Sequence, residues 1–220
     1  MYKIYRNLFT EKECEQFINL IGNRDVQSGK NVYLDIDGTE SFDEFELFKA
    51  YGHDVTEFDR SKQHDRIIRA RNPLVPGMDN KRDSEFYPTL IEFMQPVLDI
   101  VQKDWNDKAS VENCYGVDFN SYPSTTFLEP HADNTNVFAI VMIKSRNLVG
   151  GDLVFWHREK HDLRELISKF IKGKHEPDIR IDDLQTGDLF VCYDEYYYHA
   201  IEPVVSGVRQ TSIIRWNNYD

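Results

Sequence analysis

Cysteine is scarce in this sequence, and its three copies lie far apart. Cys14, Cys114 and Cys192 form no Cys-x-x-Cys pattern. That spacing disfavours a zinc site or a redox site built from paired thiols. Because each cysteine has apolar neighbours, we expect all three side chains to be buried and reduced.

Long hydrophobic runs are also missing. No stretch is apolar over the roughly 20 residues that a membrane-crossing helix needs, and no charged segment followed by an apolar one opens the chain. Residues 1–5 instead have the pattern of a β-strand. We therefore expect a cytoplasmic protein with no membrane partner. Gly and Pro contribute only 11 and 8 residues, so we expect most of the chain to be ordered.

Basic residues are too few to balance the acidic ones. The chain has 26 Lys and Arg against 38 Asp and Glu, which gives a formal net charge of −12. Nucleic-acid binding requires a basic surface that matches the phosphates, so this charge disfavours it. An acidic surface weakly favours a neutral or cationic substrate, but it serves equally well to keep a protein soluble. Both interpretations stay open.

The length of 220 residues is typical of one domain. We expect a single domain over residues 1–220, with a largely helical part over 1–110 and a strand-rich core over 111–217. Residues 24–65 are strongly acidic and only weakly periodic. They could form a lid over a substrate, or they could be a solvated excursion of the chain.

Amphipathic patterns predict three helices. A capping box at residues 10–13 starts an apolar pattern that predicts a helix over about 11–22. Apolar residues at steps of three and four predict a long helix over 86–105, in which Pro96 should cause a kink. A shorter apolar stripe predicts a further helix over 161–172.

Strand patterns dominate from residue 111 onward. The span 137–143 is almost entirely apolar, as is typical of a strand buried on both faces. Strands at such regular spacing suggest a double-sheet β-fold. Besides a short strand near 67–70, the predicted strands are 112–121, 125–131, 136–144, 151–157, 188–193, 197–204 and 208–216.

One segment carries a candidate metal-binding pair. His131 and Asp133 stand two positions apart, and in an extended chain their side chains point to the same face. His199 is the best candidate for a third ligand, and Arg209 follows it by ten residues. Two imidazoles and one carboxylate favour non-haem Fe(II) with open coordination positions. The alternatives are a chance His-x-Asp pair and a His199 that simply belongs to the core.

Other histidine and glycine motifs are weaker. His157 and His161 have helical spacing, but a zinc protease motif requires Glu directly after the first His, where this chain has Arg158. We interpret both as surface residues. The pair Gly150-Gly151 lacks the Lys and Ser or Thr of a phosphate-binding loop. The remaining histidines lie in polar stretches and are expected to be solvated: His53, His64 and His175.

The motifs in combination resemble the Fe(II)- and 2-oxoglutarate-dependent dioxygenases, in particular their prolyl-4-hydroxylase-like and free-amino-acid hydroxylase branches. The resemblance covers residues 122–216, with a fainter match in the N-terminal helix. The parts occur in the family's order: Tyr122 on a strand, His131-Ala132-Asp133, the Gly-Gly turn and strand at 146–155, the turn at 185–190, His199, Pro203, Gly207, Arg209 and Trp216.

The resemblance implies an α+β fold with a mainly β core. That core would be a double-stranded β-helix, a cupin-like jelly roll, over residues 111–217, with N-terminal and inserted helices packed on it. The implied site residues fall into two groups: His131, Asp133 and His199 as catalytic iron ligands, and Arg209 and Thr211 as ligands of the distal carboxylate of 2-oxoglutarate, with Tyr122 adding a phenol.

The implied activity is hydroxylation of an unactivated C–H bond with O2, with release of succinate and CO2. The cofactors would be Fe(II) and 2-oxoglutarate, with ascorbate as a stimulant, and the substrate an amino acid or an amino-acid-like small molecule. Two departures disfavour a peptidyl-prolyl substrate: the prolyl hydroxylases usually carry Lys in place of Arg209, and the helix at 161–172 is long for a minimal jelly roll. A peptidyl hydroxylase and a non-catalytic jelly-roll binding module remain the alternatives.

Overall fold

Antiparallel strand pairing forms the framework of this molecule. The computed structural model describes residues 1–22, 27–28, 65–71, 84–105, 109, 113–124, 126–133 and 135–217. Most of the acidic stretch 24–65 lies outside these residues, so the lid stays a prediction. The strands within the described ranges are β1 Tyr2–Tyr5, β2 Gln27–Ser28, β3 Asp65–Arg71, β4 Cys114–Pro123, β5 Leu128–His131, β6 Val137–Lys144, β7 Val149–Gly150, β8 Leu153–His157, β9 Ile179–Ile181, β10 Leu189–Tyr193, β11 Tyr197–Ile201, β12 Val204–Ser206 and β13 Val208–Trp216.

Two of the sheets enclose a core between them. The larger has seven strands in the order β1-β10-β6-β13-β4-β3-β2, the smaller has four in the order β5-β11-β8-β9, and β12 pairs with β7 alone. Alternate side chains of strand β6 pack into two different hydrophobic cores. Phe138, Ile140 and Met142 pack with residues of the smaller sheet. Ala139 and Val141, between them in sequence, pack with the N-terminal helices on the opposite face. The predicted strand buried on both faces is confirmed.

Helices cover the outer faces of both sheets. The described helices are α1 Glu11–Ile21, α2 Tyr87–Phe93, α3 Gln95–Asp104 and α4 Leu163–Ile171. Apolar residues of α1, α2 and α3 pack on the larger sheet, and Leu166 and Phe170 of α4 pack on Val154 and Trp156 of the smaller one. None of these helices combines the length and apolar character needed to span a bilayer. All three cysteines are buried and none forms a disulfide, as predicted.

The first helix begins as its sequence predicts. The Thr10 side chain accepts a hydrogen bond from the backbone N–H of Glu13, and the Glu13 carboxylate accepts one from the backbone N–H of Thr10. This reciprocal capping box satisfies two backbone donors that a helix start would otherwise leave unpaired. Gly22 then ends the helix with a φ of 65°.

The long helix predicted over 86–105 is two helices. Helix α2 ends at Phe93, Met94 leaves the helical conformation with a ψ of 9°, and α3 begins at Gln95. Pro96 lies in the first turn of α3, where its missing N–H is tolerated. The proline therefore accompanies a complete break of the helix, where only a kink was predicted.

The predicted strand over 197–204 is also divided. Strand β11 ends at Ile201 and pairs in the smaller sheet, while β12 begins at Val204 and pairs with β7. Pro203 stands between them and has no N–H with which to continue a ladder.

The short strands β7 and β9 were missed because two or three partly exposed residues give no clear alternation.

Candidate metal centre

Two predicted ligands face each other across neighbouring strands. His131 ends β5 and is directly opposite His199 on β11, with 4.3 Å between the ring centroids. Asp133 follows two residues after His131. The candidate ligand atoms of the three side chains all lie within 4.8 Å of one another. The structure thus brings together three residues that the sequence separates by up to 68 positions, since 199 − 131 = 68.

The cluster lies against the apolar core between the sheets. The His199 ring is 4.8 Å from the Phe138 ring and 6.0 Å from the Phe155 ring, measured between centroids. The backbone register also shifts in this region, because His199 pairs with His131 whereas Ile201 pairs with Leu128. Such a bulge re-aims side chains locally, and here it lies beside the two histidines.

The first imidazole is oriented by its own strand. Nδ1 of His131 lies 2.8 Å from the backbone oxygen of Glu129, which can only accept a hydrogen bond. The proton of a neutral His131 therefore belongs on Nδ1, and Nε2 keeps its lone pair for a metal. Burial, followed by the nearby His199, lowers the pKa of His131 to about 4. At neutral pH this imidazole is uncharged, as a metal ligand must be.

A buried carboxylate stands behind the second imidazole. Oδ1 of Asp194 lies 3.4 Å from Nδ1 of His199. The other oxygen, Oδ2, accepts hydrogen bonds from the backbone N–H and the hydroxyl of Thr135. Arg158 adds a cation 3.6 Å from Oδ2. Sequence reasoning missed Asp194; the available signal was an acidic residue at the end of the apolar run 189–192.

The carboxylate of the cluster is held by an arginine. Nε of Arg215 donates to Oδ2 of Asp133 over 2.7 Å, and Nη1 of the same side chain donates to Oδ2 of Asp118 over 2.7 Å. Burial alone would raise the pKa of Asp133, but the positive charge of Arg215 holds it well below its usual range. The carboxylate is therefore ionised at neutral pH. Neither Arg215 nor Asp118 was predicted to belong to the site.

A second cation lies at the other end of strand β13. Arg209 is 2% exposed, and its Nη1 donates to the backbone oxygen of Gly151 over 3.1 Å. Its Nε and Nη2 atoms are buried and have no hydrogen-bond partner among the residues that the structure describes. Burial lowers the pKa of Arg209 to about 10, so the guanidinium stays charged at neutral pH. A buried cation with unpaired donors is costly unless an anion binds it.

The two remaining predicted site residues accompany Arg209. Tyr122 is directly opposite Arg209 in the pairing of β13 with β4, and it belongs to the apolar core between the sheets. Thr211 follows two positions after Arg209 and is buried. Arg209 also lines a cavity of about 170 Å³ together with Leu148, Gly151 and other residues of the neighbouring turns. The structure therefore places these three predicted residues together, at the opposite end of β13 from Arg215.

Three further histidine predictions have different outcomes. His161 and His157 are partly exposed beside Asp178 and lie outside the metal cluster, as predicted. The prediction of a solvated His175 is wrong. Its side chain is 3% exposed, and its Nε2 lies 2.8 Å from Oε1 of Glu202. The His175 ring also packs on Trp156 of the smaller sheet, so a histidine with polar sequence neighbours becomes buried.

Comparison with known proteins gives matches among solved structures. No protein-family model and no curated protein sequence matches this chain. The fold is similar to that of HygX from Streptomyces hygroscopicus, solved with nickel and 2-oxoglutarate bound. That alignment has 11% identity and a TM-score of 0.57, and it covers 99% of this chain and 83% of HygX.

A second similar structure is the viral collagen prolyl hydroxylase vCPH from Paramecium Bursaria Chlorella virus-1, solved as a 2OG complex. The identity is 12% and the TM-score 0.51, over 97% of this chain and 94% of vCPH. The chain has the jelly-roll fold of these two proteins. The predicted double-stranded β-helix is thereby confirmed. A 2OG-Fe(II) oxygenase family protein from Burkholderia pseudomallei aligns over 70% of this chain and 65% of its own length, with 14% identity and a TM-score of 0.47.

Proposed function

We propose that this protein is an Fe(II)- and 2-oxoglutarate-dependent oxygenase that hydroxylates an unactivated C–H bond. One observation carries the proposal. A cluster of two imidazoles and a carboxylate lies beside the core between the two sheets, and a buried guanidinium with unpaired donors stands further along the same core. The first group fits a metal ion and the second fits the carboxylate of a small anion. An oxygenase of this class requires both.

The donor set of the cluster fits Fe(II). His131 and His199 would bind through Nε2, and Asp133 through its carboxylate. Three protein ligands on one side leave positions for a cosubstrate and for O2, the arrangement typical of non-haem iron oxygenases. When bound, Fe(II) and 2-oxoglutarate supply the oxidising power that inserts one oxygen atom of O2 into a C–H bond, with release of succinate and CO2.

The unpaired atoms of Arg209 fit one end of 2-oxoglutarate. Nε–H and one Nη2–H lie on the same edge of a guanidinium and point in parallel, which matches the two oxygens of a carboxylate. These are the two atoms that lack a partner among the described residues, whereas Nη1 is already bonded to Gly151. In the proposed function this edge binds the distal carboxylate of 2-oxoglutarate. The Thr211 hydroxyl and the Tyr122 phenol would add hydrogen bonds from adjacent positions.

Apolar residues around the metal cluster would exclude water from the site. Phe138 and Phe155 pack against His199, and Ile213 lies on β13 between Arg209 and Arg215. An apolar wall strengthens the ionic contacts that fix the carboxylates, because it excludes water. The protein's contribution is therefore placement of the two reactants and exclusion of solvent.

For the substrate we propose an amino acid or an amino-acid-like small molecule. Arg209 replaces the Lys that is usual in prolyl hydroxylases, and the inserted helix α4 is longer than a minimal jelly roll needs. The similarity to vCPH favours a second candidate, a peptidyl hydroxylase, because that protein is named a collagen prolyl hydroxylase. A binding module without turnover would need neither the metal cluster nor a guanidinium with an open edge.

Succinate formation tests the proposal. The protein is incubated with Fe(II), ascorbate, 2-oxoglutarate and O2, and single amino acids are compared with short proline-containing peptides. We expect at least one free amino acid to raise succinate formation above the substrate-free background and to gain about 16 mass units, the mass of one oxygen atom. Stimulation by peptides alone would favour the second candidate. Absence of succinate under all conditions, with intact 2-oxoglutarate binding, would indicate a binding module.

A further inference from the structure

We infer that Arg215 is a positioning residue that fixes Asp133 as a metal ligand through one oxygen, with Asp118 holding Arg215 in place. The inference concerns the metal site of the proposed function and rests on it. Neither Arg215 nor Asp118 is itself one of the proposed ligands.

The contacts form a chain of three charges, of which Asp118 and Arg215 are buried and Asp133 is partly exposed. Asp118 is completely buried, and the Arg215 side chain is 9% exposed. Arg215 reaches both acids with different nitrogens, Nη1 to Asp118 and Nε to Asp133, each over 2.7 Å. Charge-assisted hydrogen bonds of this length are among the strong ones in proteins. The guanidinium is therefore fixed at two points and cannot follow Asp133 if that side chain moves.

The chain of charges connects the two sheets. Asp118 lies on β4 and Arg215 on β13, which are neighbours in the larger sheet. Asp133 follows β5, which belongs to the smaller sheet together with β11 and its His199. The Arg215–Asp133 contact thus ties the segment that carries one ligand to the larger sheet, while the histidines lie on the smaller one. Such a connection keeps the carboxylate of Asp133 at a fixed position relative to the two histidines.

The contact also distinguishes the two oxygens of Asp133. Each oxygen lies near one imidazole, Oδ1 at 3.9 Å from Nε2 of His131 and Oδ2 at 3.8 Å from Nε2 of His199. Oδ2 also accepts the hydrogen bond from Arg215, whereas Oδ1 accepts none from the described part of the chain. In the inferred arrangement the guanidinium of Arg215 engages Oδ2, and Asp133 binds the metal through Oδ1. Single-oxygen binding leaves one more coordination position than chelation through both oxygens. Arg215 thereby keeps positions open for 2-oxoglutarate and O2.

Anaerobic titration with Co(II) tests this role without turnover. The parent protein is compared with the double variant Arg215→Met/Asp118→Asn, which removes Arg215 together with the completely buried charge of Asp118 and so leaves no completely buried charge unpaired. We expect the double variant to bind Co(II) about 10- to 100-fold more weakly, the range typical for loss of an outer-shell partner. The visible bands of Co(II) should also change in intensity, because Asp133 is free to bind through both oxygens.

A second arginine between two acids provides the matched control. Arg6 donates to Asp188 and to Asp183, so this group resembles the chain of charges at Arg215 in composition, and Asp188 is buried like Asp118, whereas the Arg6 side chain is 42% exposed. None of its members belongs to the metal cluster. The double variant Arg6→Met/Asp188→Asn should therefore bind Co(II) like the parent.

Formate provides a second measurement that a purely structural arginine would not affect. In Asp133→Ala the guanidinium of Arg215 remains beside the removed carboxylate. We expect formate to strengthen Co(II) binding by this variant, because Arg215 can orient the added carboxylate as it orients Asp133. The effect should vanish when Asp133→Ala is combined with Arg215→Met/Asp118→Asn.

The outcomes separate the inference from the function on which it rests. Parent-like Co(II) affinity and spectrum in Arg215→Met/Asp118→Asn would overturn the role of Arg215 and leave the metal site intact. An equal effect of formate with and without Arg215 would do the same. Failure of the parent itself to bind Co(II) would overturn both the metal site and the inference.

Discussion

Nδ1 of His199 lies 3.4 Å from Oδ1 of Asp194, and both atoms are buried without a hydrogen bond in the described part of the chain. Both side chains are buried, so an unpaired donor or acceptor would be costly there. A proton on Nδ1 of His199 faces this carboxylate oxygen and leaves Nε2 free. Asp194 therefore selects the tautomer that a metal requires, as the backbone oxygen of Glu129 does for His131.

Replacing Asp194 should weaken metal binding. Asp194→Asn keeps the size of the side chain but removes the charge that faces His199, so we expect about 10- to 100-fold weaker Fe(II) or Co(II) affinity. Anaerobic titration measures it. Asp178→Asn is the control, because Asp178 faces His161 outside the cluster. Equal metal affinity in the two variants would contradict a role for Asp194 in orienting His199.

Replacing Arg209 should affect the cosubstrate and leave the metal in place. Arg209→Ala removes a charge-assisted contact from a buried site, so we expect 2-oxoglutarate binding to weaken by about 2–5 kcal/mol. Arg209→Lys keeps the charge but has no parallel pair of donors, and its loss should be smaller. Both variants should retain normal iron content. An unchanged 2-oxoglutarate requirement in Arg209→Ala would mean that another residue binds the distal carboxylate of 2-oxoglutarate.

The carboxylate of Asp133 leads us to expect hydroxylation and no halogenation. Some members of the free-amino-acid branch that the sequence resembles transfer halogen, and they have Gly or Ala in place of this carboxylate, which leaves room for chloride. Asp133 fills that position here, so we expect a hydroxylated product with one atom from O2 and no chlorinated product at high chloride. Mass spectrometry with labelled O2 measures this. A chlorinated product, or a hydroxyl drawn wholly from water, would be inconsistent with Asp133 as a ligand.

A buried network beside the smaller sheet predicts a pH-dependent stability. Burial raises the pKa of Glu202, but contacts with His175 and Arg180 outweigh it, and the net pKa lies below its ordinary value of 4.5. A lowered pKa stabilises the fold above the ordinary value, and this contribution is lost as the pH falls through the lowered value.

Glu202→Gln should therefore lower the melting temperature most near neutral pH. The difference from the parent should shrink as the pH falls below 4.5, the ordinary pKa of Glu202. Glu176→Gln, at an exposed position nearby, is the control and should differ little from the parent. A melting-temperature difference that stays constant from neutral pH to well below the ordinary pKa would show that the charge of Glu202 contributes nothing.

Local sequence signals predicted the fold and the candidate ligands. The spacing of His131 and Asp133 is a property of one extended segment, and the apolar alternation of each strand is visible within the strand itself. His199 and Arg209 could be added because their order along the chain resembles a known family. Each of these predictions depends on neighbours in sequence or on order, and both are visible without coordinates.

The partners that orient the ligands could not be predicted in this way. Asp118 and Arg215 are 97 positions apart, and Arg215 and Asp133 are 82 positions apart. Only strand register brings them together, and register follows from the packing of two sheets. His175 shows the same limit, because its sequence neighbours are polar while its contact, Glu202, comes from a distant strand end. Likewise, Pro96 predicted only a kink, whereas the helix breaks completely at Met94.

The most direct test of the proposed oxygenase is its absorption spectrum under anaerobic conditions with Fe(II) and 2-oxoglutarate. We expect a weak visible charge-transfer band that requires both additions. His131→Ala and His199→Ala should each abolish it, while His161→Ala, outside the cluster, should retain it. A band that persists unchanged in both ligand variants, or that never forms in the parent protein, would contradict Fe(II) and 2-oxoglutarate binding at this site.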